Sequence, residues 1–319
     1  MPTGFAVPTF TLLGQAVVRL PFIKDTSLGH EVLHAWFGNG VKVSRKDGDW
    51  AEGLTTYLAD QAFARDQDRD LSFRKAQLVE YMSYVHEENA MTLKDFVGAG
   101  HTGQGVRARR AIGYGKGSMF FHMLKQRMGE EGFMKALREF YRTMKHRPAA
   151  WCDLLSSFGR GSNKKMAGFF DQWLTRADIP GLGAMNLSVK EREGRQILSF
   201  LLVQKNDAPY GLDVPVTVMT AHGEIRRVIH TTGSKTSVEI PLDASPSELV
   251  IDGGYDLMRE LTKEELPAVW SRFLGASHKT AILSSPESAH LFGPLIDLLK
   301  KMNCNIIQDE EATDTDLSK

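Results

Sequence analysis

The chain of 319 residues balances 39 Lys and Arg against 39 Asp and Glu, and 42% of it is hydrophobic. That suits a globular protein of more than one domain and leaves no electrostatic footprint for a nucleic-acid partner. No apolar run reaches the ~18 residues that span a bilayer, and no basic region precedes Gly4-Phe5-Ala6-Val7 as a signal peptide would require. Cys152 and Cys304 fall in different segments and read as two buried thiols rather than a disulfide, which leaves the compartment open.

Residues 8–22 mix β-branched and aromatic side chains around Gly14 and predict an edge strand and a buried connection. They lead into His30-Glu31-Val32-Leu33-His34. Residues four apart share one face of a helix, so His30 and His34 can offer their imidazoles to a single ion. Glu31 projects from nearly the same side. A chance H-E-x-x-H on a solvated helix is the bland alternative, but Val32, Leu33, Trp36 and Phe37 make the flanks apolar. A metal site of this kind also needs a third protein ligand and one open position for water. After the polar loop 43–49 a new helical pattern starts at Trp50, and a return helix would bring Glu52 over the two histidines. His30, His34 and Glu52 with an open fourth position form the catalytic zinc arrangement of thermolysin-like sites.

From 50 to 173 the apolar spacing is helical, over 55–66, 71–88, 112–128, 131–146 and 166–174, with turns at 98–100, at Gly129 and at 159–161. Met119, Phe120, Met123, Phe133 and Phe140 read as core. Within this stretch, Gly113-Tyr114-Gly115-Lys116-Gly117 lets the backbone approach a neighbouring surface closely. It does not satisfy the spacing of a phosphate-binding Walker loop. On the residues alone, Tyr114 is as readily a buried structural tyrosine as a catalytic one. After 178–181 the period changes to two, and 185–190, 196–204, 214–220, 224–230 and 237–240 predict the strands of a small antiparallel sandwich ending near Asp252. His222 and His230 read as surface residues. A linker helix is expected over 263–274, then a strand at 280–284, a helix at 289–302 and a strand at 304–308, making a single β-α-β unit with an acidic tail.

The run H-E-V-L-H-A-W-F-G-N followed by W-A-E-G resembles the gluzincin zinc aminopeptidases, the family of membrane alanyl aminopeptidase and leukotriene hydrolase. The interval from His34 to Glu52 is one residue shorter than usual in that family, and Ala51 replaces its asparagine. The resemblance covers 4 to about 252 and implies Zn2+ on His30, His34 and Glu52, one ion per chain. It implies that Glu31 is the general base, and that Tyr114 in Tyr114-Gly115-Lys116-Gly117 matches the Y-x-K-G motif whose tyrosine donates to the oxyanion. The motif G-A-M-E-N, whose glutamate anchors the substrate amine, corresponds here to Gly4-Phe5-Ala6-Val7-Pro8, which contains no carboxylate.

The expected fold is therefore α+β. A thermolysin-like, mainly helical zinc catalytic domain occupies 1–180, a β-sandwich 181–258, and a linker helix with a partial α/β segment 259–319. The chain reads as a piece of a longer protein with further domains upstream and downstream. The expected activity is that of a zinc metallopeptidase acting on peptide substrates, aminopeptidase-like but without the amine anchor. The rival is a non-catalytic scaffold that keeps the peptidase fold.

Overall fold

The computed structural model describes residues 4–100, 105–160, 166–192, 194–285 and 290–313, and not the side chains of Asp25 and Arg45. It is a mixed α+β structure with one compact unit running to Pro267 and a second from Ala268. The first unit opens on a hairpin of β1 (Gly4–Val7) and β2 (Phe10–Leu13), followed by α1 (Gln15–Val18) and α2 (Ser27–Leu33). The strand expected in 8–22 is present, but its burial is not: Phe10, Val18, Leu20 and Phe22 are exposed. Among the described residues α2 packs on this hairpin, and a two-stranded hairpin has little capacity of its own to bury a second face.

Phe37–Gly38 (β3) and Val41–Val43 (β4) join Pro148–Ala149 (β5) in a small patch. The Trp50 indole donates to Ala149 O at 2.8 Å, fixing the start of α3 (Ala51–Thr55) against it. The Asp49 carboxylate accepts from Ala51 N–H at 2.9 Å, satisfying one of the free donors of that helix end. α3 runs on through a π-helical turn, Thr56–Asp60, into α4 (Gln61–Asp66), and α5 (Asp70–Tyr84) returns alongside. A second long helix is built the same way: α6 (Val106–Arg110), a π-helical turn Ala111–Lys116, and α7 (Gly117–Met128). Then come α8 (Glu130–Met144), α9 (Trp151–Arg160) and α10 (Ala167–Thr175).

The expected helices are present with shifted ends, whereas α9 was read only as a turn near its C-terminal end. Its apolar stripe Trp151, Leu154 and Phe158 is buried. Cys152, on the opposite face, is exposed, a correction to its reading as a buried thiol, while Cys304 is buried. Met119, Phe120, Met123, Phe133 and Phe140 all lie in the core with Phe169, Phe170 and Trp173.

The strands β6 (Leu182–Arg192), β7 (Arg195–Gln204), β8 (Leu212–Thr220), β9 (Gly223–Thr231), β10 (Lys235–Leu242) and β11 (Pro246–Ile251) form two antiparallel sheets, ordered β10-β7-β6 and β11-β8-β9. Alternate residues Leu198, Phe200 and Leu202 of β7 and Val214, Val216 and Val218 of β8 are buried, the period-two burial of a sandwich. His222 and His230 are exposed on it, as expected. The second unit holds α11 (Trp270–Gly275), β12 (Lys279–Leu283), α12 (Gly293–Lys301) and β13 (Cys304–Gln308), with β12 and β13 parallel. The helix expected from 263 begins only at Trp270. Pro267 lacks the N–H that a helix interior needs and biases Leu266 toward extended backbone.

The crossing of α3 and α7 sets the positions of everything at the site. A Cβ built on Gly53 would lie 2.7 Å from the backbone of Gly117, and one on Gly117 would lie 3.0 Å from Cα of Gly53. The two helices therefore touch backbone to backbone at a pair of glycines. Replacing either Gly53 or Gly117 with alanine is expected to destabilise the protein by ~1–3 kcal/mol through overpacking, read as a lower urea midpoint at unchanged m-value.

Candidate metal centre

α2 ends with His30 and His34 on one side, their ring centroids 4.9 Å apart. Glu52, in the first turn of α3, points between them. Its Oε2 lies 3.3 Å from His30 Nε2 and 3.4 Å from His34 Nε2. One ligand atom from each of these three residues falls within 4.8 Å of the other two. The structure thus brings together the three residues picked from the sequence.

The other ring nitrogens decide what the site can hold. His34 Nδ1–H donates to Phe37 O at 2.8 Å, and His30 Nδ1–H donates to Asp60 Oδ2 at 2.9 Å. With both Nδ1 atoms engaged as donors, both Nε2 atoms present lone pairs toward a carboxylate that has only lone pairs of its own. Three convergent acceptors need a cation among them, and a carboxylate behind His30 is the usual second support of a metal-bound imidazole. The donor set therefore fits a zinc ion. Without a metal, protons take its place. Burial opposes charge on His30, but hydrogen bonds and charges from Asp60 and Glu52 prevail and push its pKa up to about 10. His34 is raised too: burial opposes its charge, but the hydrogen bond and charge of Glu52 and the bond to Phe37 O together outweigh it. Burial opposes ionisation of Glu52, yet the two histidines hold it well below the usual carboxylate range.

Asp60 ends the π-helical turn and stands behind His30. It is not among the convergent three, but it orients one of them. The π-helical turn takes up one extra residue, so Glu52, Thr56 and Asp60 all face the same cleft.

Glu31 lies beside the three. Its carboxylate accepts from the Ala6 N–H of β1 and packs against Gly4, and burial raises its pKa against the lowering charges of His30 and His34. Tyr114 sits in the second π-helical turn, inside a continuous helix rather than at a helix start. Its ring is stacked 5.9 Å from that of His30, tilted by 12°. Its hydroxyl hydrogen-bonds with Glu52, and burial with that carboxylate drives its pKa up, so it stays a donor. Lys116, fully buried, donates to Arg176 O at 2.7 Å and also to Ala177 O and Asp178 O, pinning this turn to the chain after α10. All these side chains except Lys116 line a cleft of about 1180 Å3, with β1 along one wall. The apolar flanks of the motif are only partly buried: Phe37 is inside, but Val32 and Trp36 are exposed.

In the metal-free chain, the stabilisation from His30 is complete below its ordinary value of 6.5 and is lost as pH rises through about 10. Zinc binding near neutral pH is therefore expected to release protons, and its affinity to rise with pH. Titration calorimetry in two buffers of different ionisation enthalpy reads the release. Asp60→Asn should weaken zinc by about 10–100-fold in a chelator competition with helical content unchanged. Glu52→Gln should weaken it more sharply. Full occupancy at undiminished affinity in that second variant would assign the third ligand elsewhere.

Residues 25–173 match the Peptidase family M1 domain. Aminopeptidase N of Lactococcus lactis subsp. lactis is 25% identical over 175 residues, which cover 49% of this chain and 19% of that protein. Aminopeptidase 2, mitochondrial, of Saccharomyces cerevisiae is 24% identical over 257 residues, 72% of this chain and 26% of that one. The crystal structure of Legionella pneumophila aminopeptidase A in complex with aspartic acid superposes with a TM-score of 0.52 at 17% identity, over 77% of this chain and 27% of that one, a likeness of fold. The chain thus spans about a fifth to a quarter of the length of these relatives. Taken with the convergent histidines and Glu52, the match places this chain's 25–173 segment in peptidase family M1, the gluzincin aminopeptidases.

Proposed function

We propose that the chain is a zinc metallopeptidase that hydrolyses peptide bonds. The observation that carries this reading is the convergence of His30 Nε2, His34 Nε2 and Glu52 Oε2, with both Nδ1 atoms already engaged as donors. His30, His34 and Glu52 would hold a zinc ion, which would supply Lewis-acid chemistry and lower the pKa of a water toward ~7. Glu31 takes a proton on its carboxylate and returns it to the leaving amine. A carboxyl whose pKa is raised by burial serves both halves of that transfer. The Tyr114 hydroxyl donates to the oxygen of the scissile carbonyl as negative charge builds on it, a hydrogen bond that strengthens toward the transition state.

Aminopeptidase names among the relatives suggest a free amino terminus as substrate. On this chain β1 supplies Gly4, Phe5 and Ala6 at the cleft wall, none of which carries a carboxylate for an ammonium group. The proposal is therefore a peptidase with aminopeptidase ancestry and weakened amine recognition. A non-catalytic scaffold is the less favoured reading, because the base and the tyrosine both stand beside the metal ligands.

Turnover of a peptide panel, abolished by a chelator and restored by zinc, tests the reading. Absence of any zinc-dependent turnover in the full-length protein would favour the scaffold. Glu31→Gln should keep the metal and lose most hydrolysis, since an amide cannot accept the proton. Tyr114→Phe should lower kcat with little change in KM, and the reverse pattern would sink its role. Acetylated and free peptides of one sequence should be cleaved at rates within about tenfold, ~1.4 kcal/mol of selectivity. A preference of several hundredfold for the free amine, roughly 3–4 kcal/mol, would show that an anchor exists elsewhere.

A further inference from the structure

We propose that Arg110 determines specificity by receiving a substrate carboxylate, so that the cleft selects peptides with an acidic group close to the bond that is cut. The inference rests on the peptidase reading above and names its substrate class. Arg110 lies one helical step before Tyr114, at i and i+4, across the start of the π-helical turn. Its guanidinium carbon stands 4.4 Å from the centroid of the Tyr114 ring, and the residue is exposed and lines the cleft. A guanidinium on an aromatic face is held in orientation while its N–H edge stays free to bond.

Most of the other charges lining the cleft are engaged, Lys42 on β4 being the exception. Glu52 faces the two histidines and Tyr114, Asp60 holds His30, Asp49 accepts from Ala51 N–H, and Glu31 accepts from Ala6 N–H. Among the cations of the same cleft, Arg107 donates to the Tyr84 hydroxyl at 3.1 Å and its charge acts on Glu80. Arg69 bonds Gln67. Among the described residues Arg110 makes no hydrogen bond and no ion pair. A planar fork of donors is thus left open beside the hydroxyl that faces the reacting carbonyl. Its natural partner is a carboxylate, bound through two parallel hydrogen bonds. The same cleft has no carboxylate on β1 for a substrate amine, so the recognition chemistry on offer there is inverted in sign.

The carboxylate can come from an Asp or Glu side chain or from the peptide C-terminus, and two arms of one experiment separate the sources. Matched hexapeptides carrying Asp or Asn at each position, and ending in acid or amide, are assayed on the zinc-loaded full chain. The readout is the acid-to-neutral ratio of kcat/KM within each protein variant, which a general loss of folding or activity does not move. The same ratios are measured as affinities in a Glu31→Gln background, where hydrolysis is suppressed.

We expect a ratio of at least about tenfold for the native chain at one position or at the terminus. Arg110→Gln should bring it to within about twofold and Arg110→Glu should take it below one, whereas Arg110→Lys should keep part of it because a point charge lacks the fork. Whichever arm responds to Arg110 identifies the source. Peptides cleaved with a ratio near one, or with a ratio that Arg110→Gln leaves unchanged, would overturn the inference while the peptidase reading stands. An Arg110-dependent preference in binding without turnover of any peptide would uphold the inference and remove the peptidase reading instead.

Discussion

Three hydrogen-bond acceptors pointed at one another are unstable unless something positive sits among them, and the fold of the first unit is arranged to keep them so pointed. His30 and His34 are held from behind by Asp60 and by Phe37 O, so neither ring can flip without breaking a bond already made, and a donor appears on the inner side only when Nε2 takes up a proton. Glu52 is brought to them by a helix that touches its neighbour at Gly53 and Gly117 with no side chain between. The close approach that lets Tyr114 reach Glu52 and the placement of Glu52 itself are therefore one constraint. A side chain at that crossing would spread both the acid and the tyrosine away from the histidines.

Both long helices at the cleft depart from α-helical geometry where they meet it. π-helical turns cost backbone regularity and are found mostly at functional sites. Here one carries Thr56 to Asp60 and puts the supporting carboxylate on the same side as Glu52. The other carries Tyr114 and turns it against His30. Lys116, buried and bonded to three consecutive carbonyls, holds that second turn in place from outside the cleft.

This explains what the sequence disclosed and what it concealed. His30, His34 and Glu52 were legible because i,i+4 spacing and a helix-turn-helix return are properties of ordinary backbone. Glu31 and Tyr114 were recognised as residues of a motif, and the structure puts both beside the histidines. The support from Asp60 was hidden, because counting along an ideal helix does not include the extra residue of a π turn. Five of the six sandwich strands followed from simple alternation and extend only a few residues beyond their expected ends, whereas β11 was not among the expected strands. Exposure was the least legible property: Phe10, Val18, Phe22, Val32 and Trp36 are apolar and yet outside. Composition signals that a residue prefers burial, but not which face of a hairpin or helix receives a cover. Arg110 gave no signal, since an arginine among Arg107, Arg109 and Arg110 looks like any solvated helix until its ring partner is known.

The sandwich also has a part in the site, although none of its residues reaches the cleft. Gln172 of α10 brackets Gly211 with both ends of its amide, accepting from its N–H and donating to its O, each at 3.0 Å. Arg74 of α5 donates to Gly254 O, and His122 of α7 bonds Asp256 at 2.8 Å, so the chain leaving the last sandwich strand closes over the helices. Gln61, the residue after Asp60, donates to the other nitrogen of His122. The carboxylate that orients His30 thus adjoins a buried polar chain running through Gln61 and His122 to Asp256. In a low-dielectric interior the bonds of such a chain strengthen one another, although Gln61 Oε1 is buried without a partner. The backbone next to Asp60 is thus tied, through Gln61 and His122, to a contact that the helices do not supply alone.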